Sequence, residues 1–84
     1  MQVEFFGIPR ERARLAQLNV RAATLGELWE RLAAEIPSLA SLLPNPDRPP
    51  IVVANLNGDR FISDPLTPLA ENDHLLILSA DAGG

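Results

Sequence analysis

Few residues in this 84-residue chain have the type and spacing to do chemistry of their own. There is no cysteine, which removes thiolate nucleophiles, thiolate metal ligands and disulfides together. His74 is the single histidine, whereas metal binding and general acid–base work need clusters of such groups. Beside Asp73 it reads as a turn residue at a sheet edge, and Trp29, the single tryptophan, reads as packing between a helix and a sheet. No glycine-rich loop is present to cradle a phosphate. What remains is the terminal pair Gly83-Gly84 and the carboxylate that ends it. Two residues without Cβ atoms can thread a narrow channel and take dihedrals that other residues avoid. With glycine near 7% of residues, such a pair ends a chain by chance in about one case in 200.

Charge and length narrow the partners. All seven cationic residues are arginines, scattered along a chain of net charge −4, so no basic stripe is available to neutralise phosphates and nucleic acid is not expected as a partner. With no lysine, the chain offers no side-chain amine of its own to an isopeptide bond. No apolar run approaches the roughly 20 residues of a membrane span, and the N-terminus does not read as a leader. A cytoplasmic protein without a membrane partner is expected. The length allows one small core, so residues 1–80 are expected to form one domain and residues 81–84 a flexible tail.

The elements that must position this tail are legible from periodicity. Val3 to Phe6 reads as a first strand, with Val3 and Phe5 on one face and Glu4 and Phe6 on the other. Arg10, Glu11, Arg12 and Arg14 read as a solvated loop, and the alternation of Ala16, Leu18 and Val20 as a second strand, antiparallel to the first. Thr24 followed by Glu27 has the pattern of a capping box, and Leu25, Leu28, Trp29, Leu32 and Ile36 recur at helical spacing until Pro37 ends the run. The segment 38–50 holds four of the eight prolines and reads as a connection, with Leu39, Leu42 and Leu43 forming a helical turn under the sheet edge. Ile51 to Asn55, the Asn57-Gly58 turn signal and Arg60 to Ile62 read as a hairpin; Leu75 to Leu78 reads as a central strand. The fold class is α+β, a mixed sheet of four to five strands packed on one main helix, joined by a right-handed crossover.

Parity then predicts a binding face. If Leu75 and Ile77 point at the helix, Leu76 and Leu78 point to the opposite side, where Phe6 also lies and which Phe61 extends. Phe6, Phe61, Leu76 and Leu78 are therefore the candidate partner-binding residues, an apolar patch next to the tail. Two alternatives compete: the 38–50 segment covers these side chains, or the register is shifted by one and the two sets exchange faces. The acidic residues Asp64, Glu71, Asp73 and Asp81 would steer the tail toward a basic site, or simply solvate the surface.

The order of elements, the Asn57-Gly58 hairpin, the Asn72-Asp73 turn before the last strand and the terminal Gly83-Gly84 together resemble the MoaD/ThiS family over essentially the whole chain. The resemblance implies a ubiquitin-like β-grasp fold and a sulfur carrier that is not itself an enzyme. It implies that the Gly84 carboxylate is adenylated by a ubiquitin-activating-type enzyme and converted to a thiocarboxylate. Gly83 would belong to the threading tail. No cofactor would be bound, ATP being consumed by the activating enzyme, and the sulfur would pass to a synthase such as the large subunit of molybdopterin synthase. The length and the Phe5-Phe6 start resemble the molybdopterin branch more than the thiamine carriers. Members serving molybdopterin synthase usually carry a Gly-Asp pair before the last strand and a proline in the approach to the tail. Here those segments read Glu71-Asn72-Asp73 and Ser79-Ala80-Asp81-Ala82. Two other readings stay open: a ubiquitin-like modifier conjugated through Gly84, and a β-grasp binding module to which the tail is incidental.

Overall fold

Five strands form one mixed sheet in a computed structural model that describes residues 1–83. Val3 and Phe5 alternate with Gln2 and Glu4 along β1 (Gln2–Phe5), and β1 lies between β2 (Gln17–Asn19) and β5 (His74–Ser79). It runs antiparallel to β2 and parallel to β5. On the other side of β5 lie β3 (Val52–Leu56) and β4 (Arg60–Ile62), giving the order β2-β1-β5-β3-β4. The central strand is thus β5, the most apolar run in the sequence. This is the ubiquitin-like β-grasp arrangement, with α2 (Leu25–Glu35) as its main helix.

One face of the sheet makes the core. Val3, Phe5, Val52, Ala54, Leu56, Leu75 and Ile77 meet Leu25, Leu28 and Leu32 of α2, and all are buried. Burial of such side chains is the main favourable term in a domain this small. Trp29 packs against this cluster while remaining partly exposed. Leu39, Leu42 and Leu43 are buried in the same cluster. Their segment opens with a 3₁₀ turn over Pro37–Leu39 that packs against α2, so it joins the helical layer.

The N-terminus of α2 shows how closely the chain is fitted. Three of the amide groups that a helix start leaves without intrahelical acceptors find partners: Leu25 N donates to Thr67 O (3.0 Å), Gly26 N to Pro65 O (2.9 Å) and Glu27 N to Thr24 Oγ1 (3.3 Å). A Cβ on Gly26 would stand 3.2 Å from Pro65 Cβ, a tight contact that would push the 65–67 turn back by a few tenths of an ångström. Only the Thr24 half of the expected capping box forms. The Glu27 carboxylate lies instead 3.7 Å from the Arg31 guanidinium, one turn along an exposed face.

The structure corrects one element of the sequence reading. Residues expected to form a solvated loop make a short helix, α1 (Ile8–Ala13). Pro9 presets the dihedral of the first turn, Gly7 enters it at φ 64°, and Arg14 leaves it in the left-handed region at φ 62°. Pro9 and Ala13, four residues apart, are the buried pair that holds it down. Six residues are too few to show helical periodicity, and two arginines and a glutamate hide what little there is. The hairpin differs by one residue: β3 starts at Val52 and includes Leu56. Asn57 and Gly58 occupy its turn with φ 59° and 70°, the signature of a type I′ turn, and Asp59 N donates to Leu56 O at 3.0 Å.

Candidate functional site

The site is built around the exit of β5. Ile77, in register with Phe5 of the parallel strand β1, accepts from Phe6 N at 2.9 Å, so Phe6 lies alongside Leu78. On the other flank, Val52 pairs with Ser79 and Val53 with Leu78, while Ala80 N donates to Ile51 O at 2.9 Å. The chain then turns into α3 (Ala80–Gly83), one helical turn in the segment that the sequence assigns to the tail. Gly83 closes this turn. The Gly84 carboxylate lies outside the described residues.

The candidate docking residues take these places. Leu76 and Leu78 alternate with the fully buried Leu75 and Ile77, and so face away from α2. Phe6 and Phe61 are 39% and 53% exposed, leaving large aromatic faces in contact with water. The register sorts the four into two rows across the sheet. One row runs Glu4, Leu76, Asn55, Phe61 and the next Phe6, Leu78, Val53, the rows lying about 7 Å apart along the strands. The structure therefore brings Phe6 and Leu78 together and sets Leu76 and Phe61 on either side of Asn55.

Two further apolar side chains stand at the same exit and escaped the sequence reading. Ile8 is 47% exposed at the start of α1, next to Gly7, where an added Cβ would lie 3.5 Å from Ser79 Oγ. Ile51 is 37% exposed and contributes the carbonyl that receives Ala80 N. With Phe6 and Leu78, which the pairing sets side by side, they are the apolar collar at this end of the sheet, each lying on a segment that adjoins the end of β5. Isolated exposed hydrophobics need no explanation, but a group of them at one end of a sheet marks an interaction surface. A signal for both was present: each is an isoleucine beside proline, next to a strand that flanks the last one.

The opposite end of β5 is polar. Asp73 Oδ2 accepts from Ala70 N (2.7 Å) and Asp73 Oδ1 from Asn57 Nδ2 (3.1 Å), and Asn57 Oδ1 accepts from His74 N (2.8 Å). These bonds, that from the Ala70 amide first, hold the Asp73 carboxyl below the usual carboxylate range. His74 begins the strand itself, and its Nε2 lies 3.0 Å from Glu4 Oε1 on the neighbouring strand. Among the described residues no three His, Asp or Glu side chains gather to hold a metal ion. No described helix is long and apolar enough to cross a membrane.

Fold and exit together define a β-grasp protein whose central strand leads into the segment of the sequence that carries Gly83-Gly84. The chain belongs to the ThiS family, whose model matches residues 3–84 and so runs through both glycines. Among solved structures it is similar to SAMP1 from Haloferax volcanii, with TM-score 0.79 and 22% identity over 99% of this chain and 97% of that one. It is similar to CysO from Mycobacterium tuberculosis, described as an antigen, with TM-score 0.76 and 25% identity over 94% and 97% of the two chains. A third similar structure is a complex of subunits 1 and 2 of the molybdopterin-converting factor from Helicobacter pylori, with TM-score 0.67 and 26% identity over 99% and 96%. No curated protein sequence matches the chain.

Proposed function

We propose that this protein is a sulfur carrier. The observation that supports this reading most is the ThiS family match extending through Gly83-Gly84, the one feature of the chain suited to covalent chemistry. A carboxylate does not exchange oxygen for sulfur unaided, because its leaving group is poor. In the proposed sequence the Gly84 carboxylate attacks the α-phosphate of ATP on an adenylating enzyme, pyrophosphate departs, and an acyl-adenylate forms. A sulfur donor at the oxidation level of sulfide then displaces AMP and leaves a thiocarboxylate. The carrier contributes the tail and the docking surface, and the partner enzymes contribute the catalytic groups and consume the ATP.

The collar of Phe6, Ile8, Ile51 and Leu78 is the surface proposed to meet the adenylating enzyme, with Leu76 and Phe61 extending it across the sheet. Any enzyme that takes up Gly84 must cover this exit, and covering an apolar collar contributes to affinity as the tail enters. The sulfur acceptor is proposed to be a synthase; the similarity to a two-subunit molybdopterin-converting factor favours molybdenum cofactor synthesis over thiamine synthesis. Conjugation of Gly84 to a lysine of another protein would pass through the same adenylate and differ only in the nucleophile.

The test is intact mass after incubation with ATP, a sulfide source and the adenylating enzyme from the same cell. The expected result is replacement of one oxygen by one sulfur, seen with the full chain and lost when Gly84 is deleted. An unchanged mass with an enzyme that is active on its own carrier would reject the reading. Appearance of an isopeptide adduct alone would replace it with the modifier reading.

A further inference from the structure

The outer face of the sheet, turned away from α2, carries two ionisable side chains among its strand residues, Glu4 on β1 and His74 on β5. No arginine stands there: Arg60, the one arginine within a strand, pairs with the buried Leu56 and so belongs to the other face. Glu4 Oε1 lies 3.0 Å from His74 Nε2, and among the described residues no donor meets its second oxygen. On its other flank Gln17 of β2 is in register with Glu4, but the Gln17 side-chain oxygen accepts from the Gln2 amide instead. The Glu4 side chain keeps 33% of its surface in water, so a partner can meet it as the structure stands. A carboxylate beside Leu76 and Phe6, without a cation of its own chain opposite it, is a charge that a docked surface has to answer.

We propose that Glu4 is the specificity determinant of the docking face, and that the adenylating enzyme presents a cationic side chain, arginine or lysine, to its carboxylate. This rests on the carrier reading and names what the partner must bring. Glu4 is in register with Leu76 on the adjacent strand, about 5 Å away, and stands about 7 Å from the row of Phe6 and Leu78. An enzyme that covers Phe6, Leu78 and Leu76 therefore covers Glu4. Taking a carboxylate out of water without a counter-charge is costly, and the one bond that the imidazole can give to Oε1 leaves Oε2 unmet. A guanidinium or ammonium at that place turns the cost into attraction, and with no arginine on this face the cation has to come from the partner. Phe6, Leu76, Leu78 and Phe61 accept any apolar surface, whereas Glu4 rejects those that bring no cation.

The test compares Glu4→Gln with His74→Gln. Both remove the Glu4–His74 ion pair, but only the first removes the carboxylate. Affinity for the purified adenylating enzyme is measured over a range of salt concentrations for both variants and the parent, with urea denaturation to show that each chain is folded. Glu4→Gln, which keeps the size of the side chain, is expected to bind about tenfold more weakly at low salt and with a shallower salt dependence than the parent. His74→Gln is expected to bind no worse than about twofold below the parent, with the salt dependence intact. A pair that served only the sheet would move the two variants alike. If Glu4→Gln binds as tightly as the parent, or if both variants weaken binding equally, the inference is overturned while the carrier reading, tested by the mass change, stands. If the parent chain does not bind the enzyme at all, both fall.

Discussion

The two ends of β5 solve the same problem in opposite ways. Where the strand begins, its neighbours are polar and are satisfied from within the chain: the Asp73 carboxylate takes the Ala70 and Asn57 donors, and Asn57 takes the His74 amide. Where the strand ends, the neighbours are Phe6, Ile8 and Ile51, each more than a third exposed and each left in contact with water. An end closed by its own hydrogen bonds fixes register and needs nothing more. An end ringed with exposed apolar side chains carries a cost in the free protein that burial under a partner would offset. The difference teaches that stability and recognition are separated along a single strand only six residues long.

The largest effect expected from breaking this contrast is at the apolar end. Replacing Phe6 and Ile51 together by aspartate puts two charges into the collar and should lower kcat/KM for adenylation of the tail about a hundredfold. Both side chains are partly buried, so stability should fall by about 1–2 kcal/mol, and adenylation is compared at a temperature where urea denaturation shows both chains folded. A variant that folds and is adenylated at the parent rate would show that the exit is not the docking surface.

At the polar end the expected balance is reversed. Asn57→Ala removes the side chain that both donates to Asp73 and accepts from His74, and it puts a Cβ without local hydrogen bonds into a left-handed position at φ 59°. The cost should be about 2 kcal/mol of stability, read by chemical denaturation, with adenylation at saturating enzyme within twofold of the parent. Equal losses at the two ends would dissolve the distinction.

This separation also explains what could be read from the sequence. The helix Leu25–Glu35 was legible because its apolar residues recur over three turns between a capping threonine and a proline. The alternation of buried and half-buried residues along β5 was legible because strand parity admits only two registers. Helix α1 was not, since it rests on one proline and one alanine under a charged surface. The collar was visible in part: Phe6 and Leu78 follow from parity, whereas Ile8 and Ile51 lie outside the strands and reach the exit only through the pairing order β1-β5-β3. Asn55 was legible as the last residue of the strand from Ile51, but not as a residue with cross-strand neighbours on both sides. That its side-chain oxygen finds no donor among the described residues is a property of the folded sheet.

The smallest effect expected is a dependence on pH confined to the polar end. Asp73 is held below its ordinary pKa of 3.8 by donors that bond to its ionised form. A carboxyl depressed on folding contributes stability that is present above the unfolded value and is lost as pH falls through the folded one. The contribution should therefore be complete at neutral pH and fade only in acid below about pH 4. Asp73→Asn keeps the size of the side chain and one acceptor oxygen but cannot ionise. Its stability at pH 7 should fall by about 1 kcal/mol, and the difference from the parent should shrink as the pH is lowered through the acid range. A parent and variant that lose stability in parallel on acidification would mean that the Ala70 and Asn57 bonds to Asp73 do not hold the polar end. The closure of β5 would then rest on the bonds between Asn57 and His74 and on the backbone bond from Gln2 N to Asp73 O.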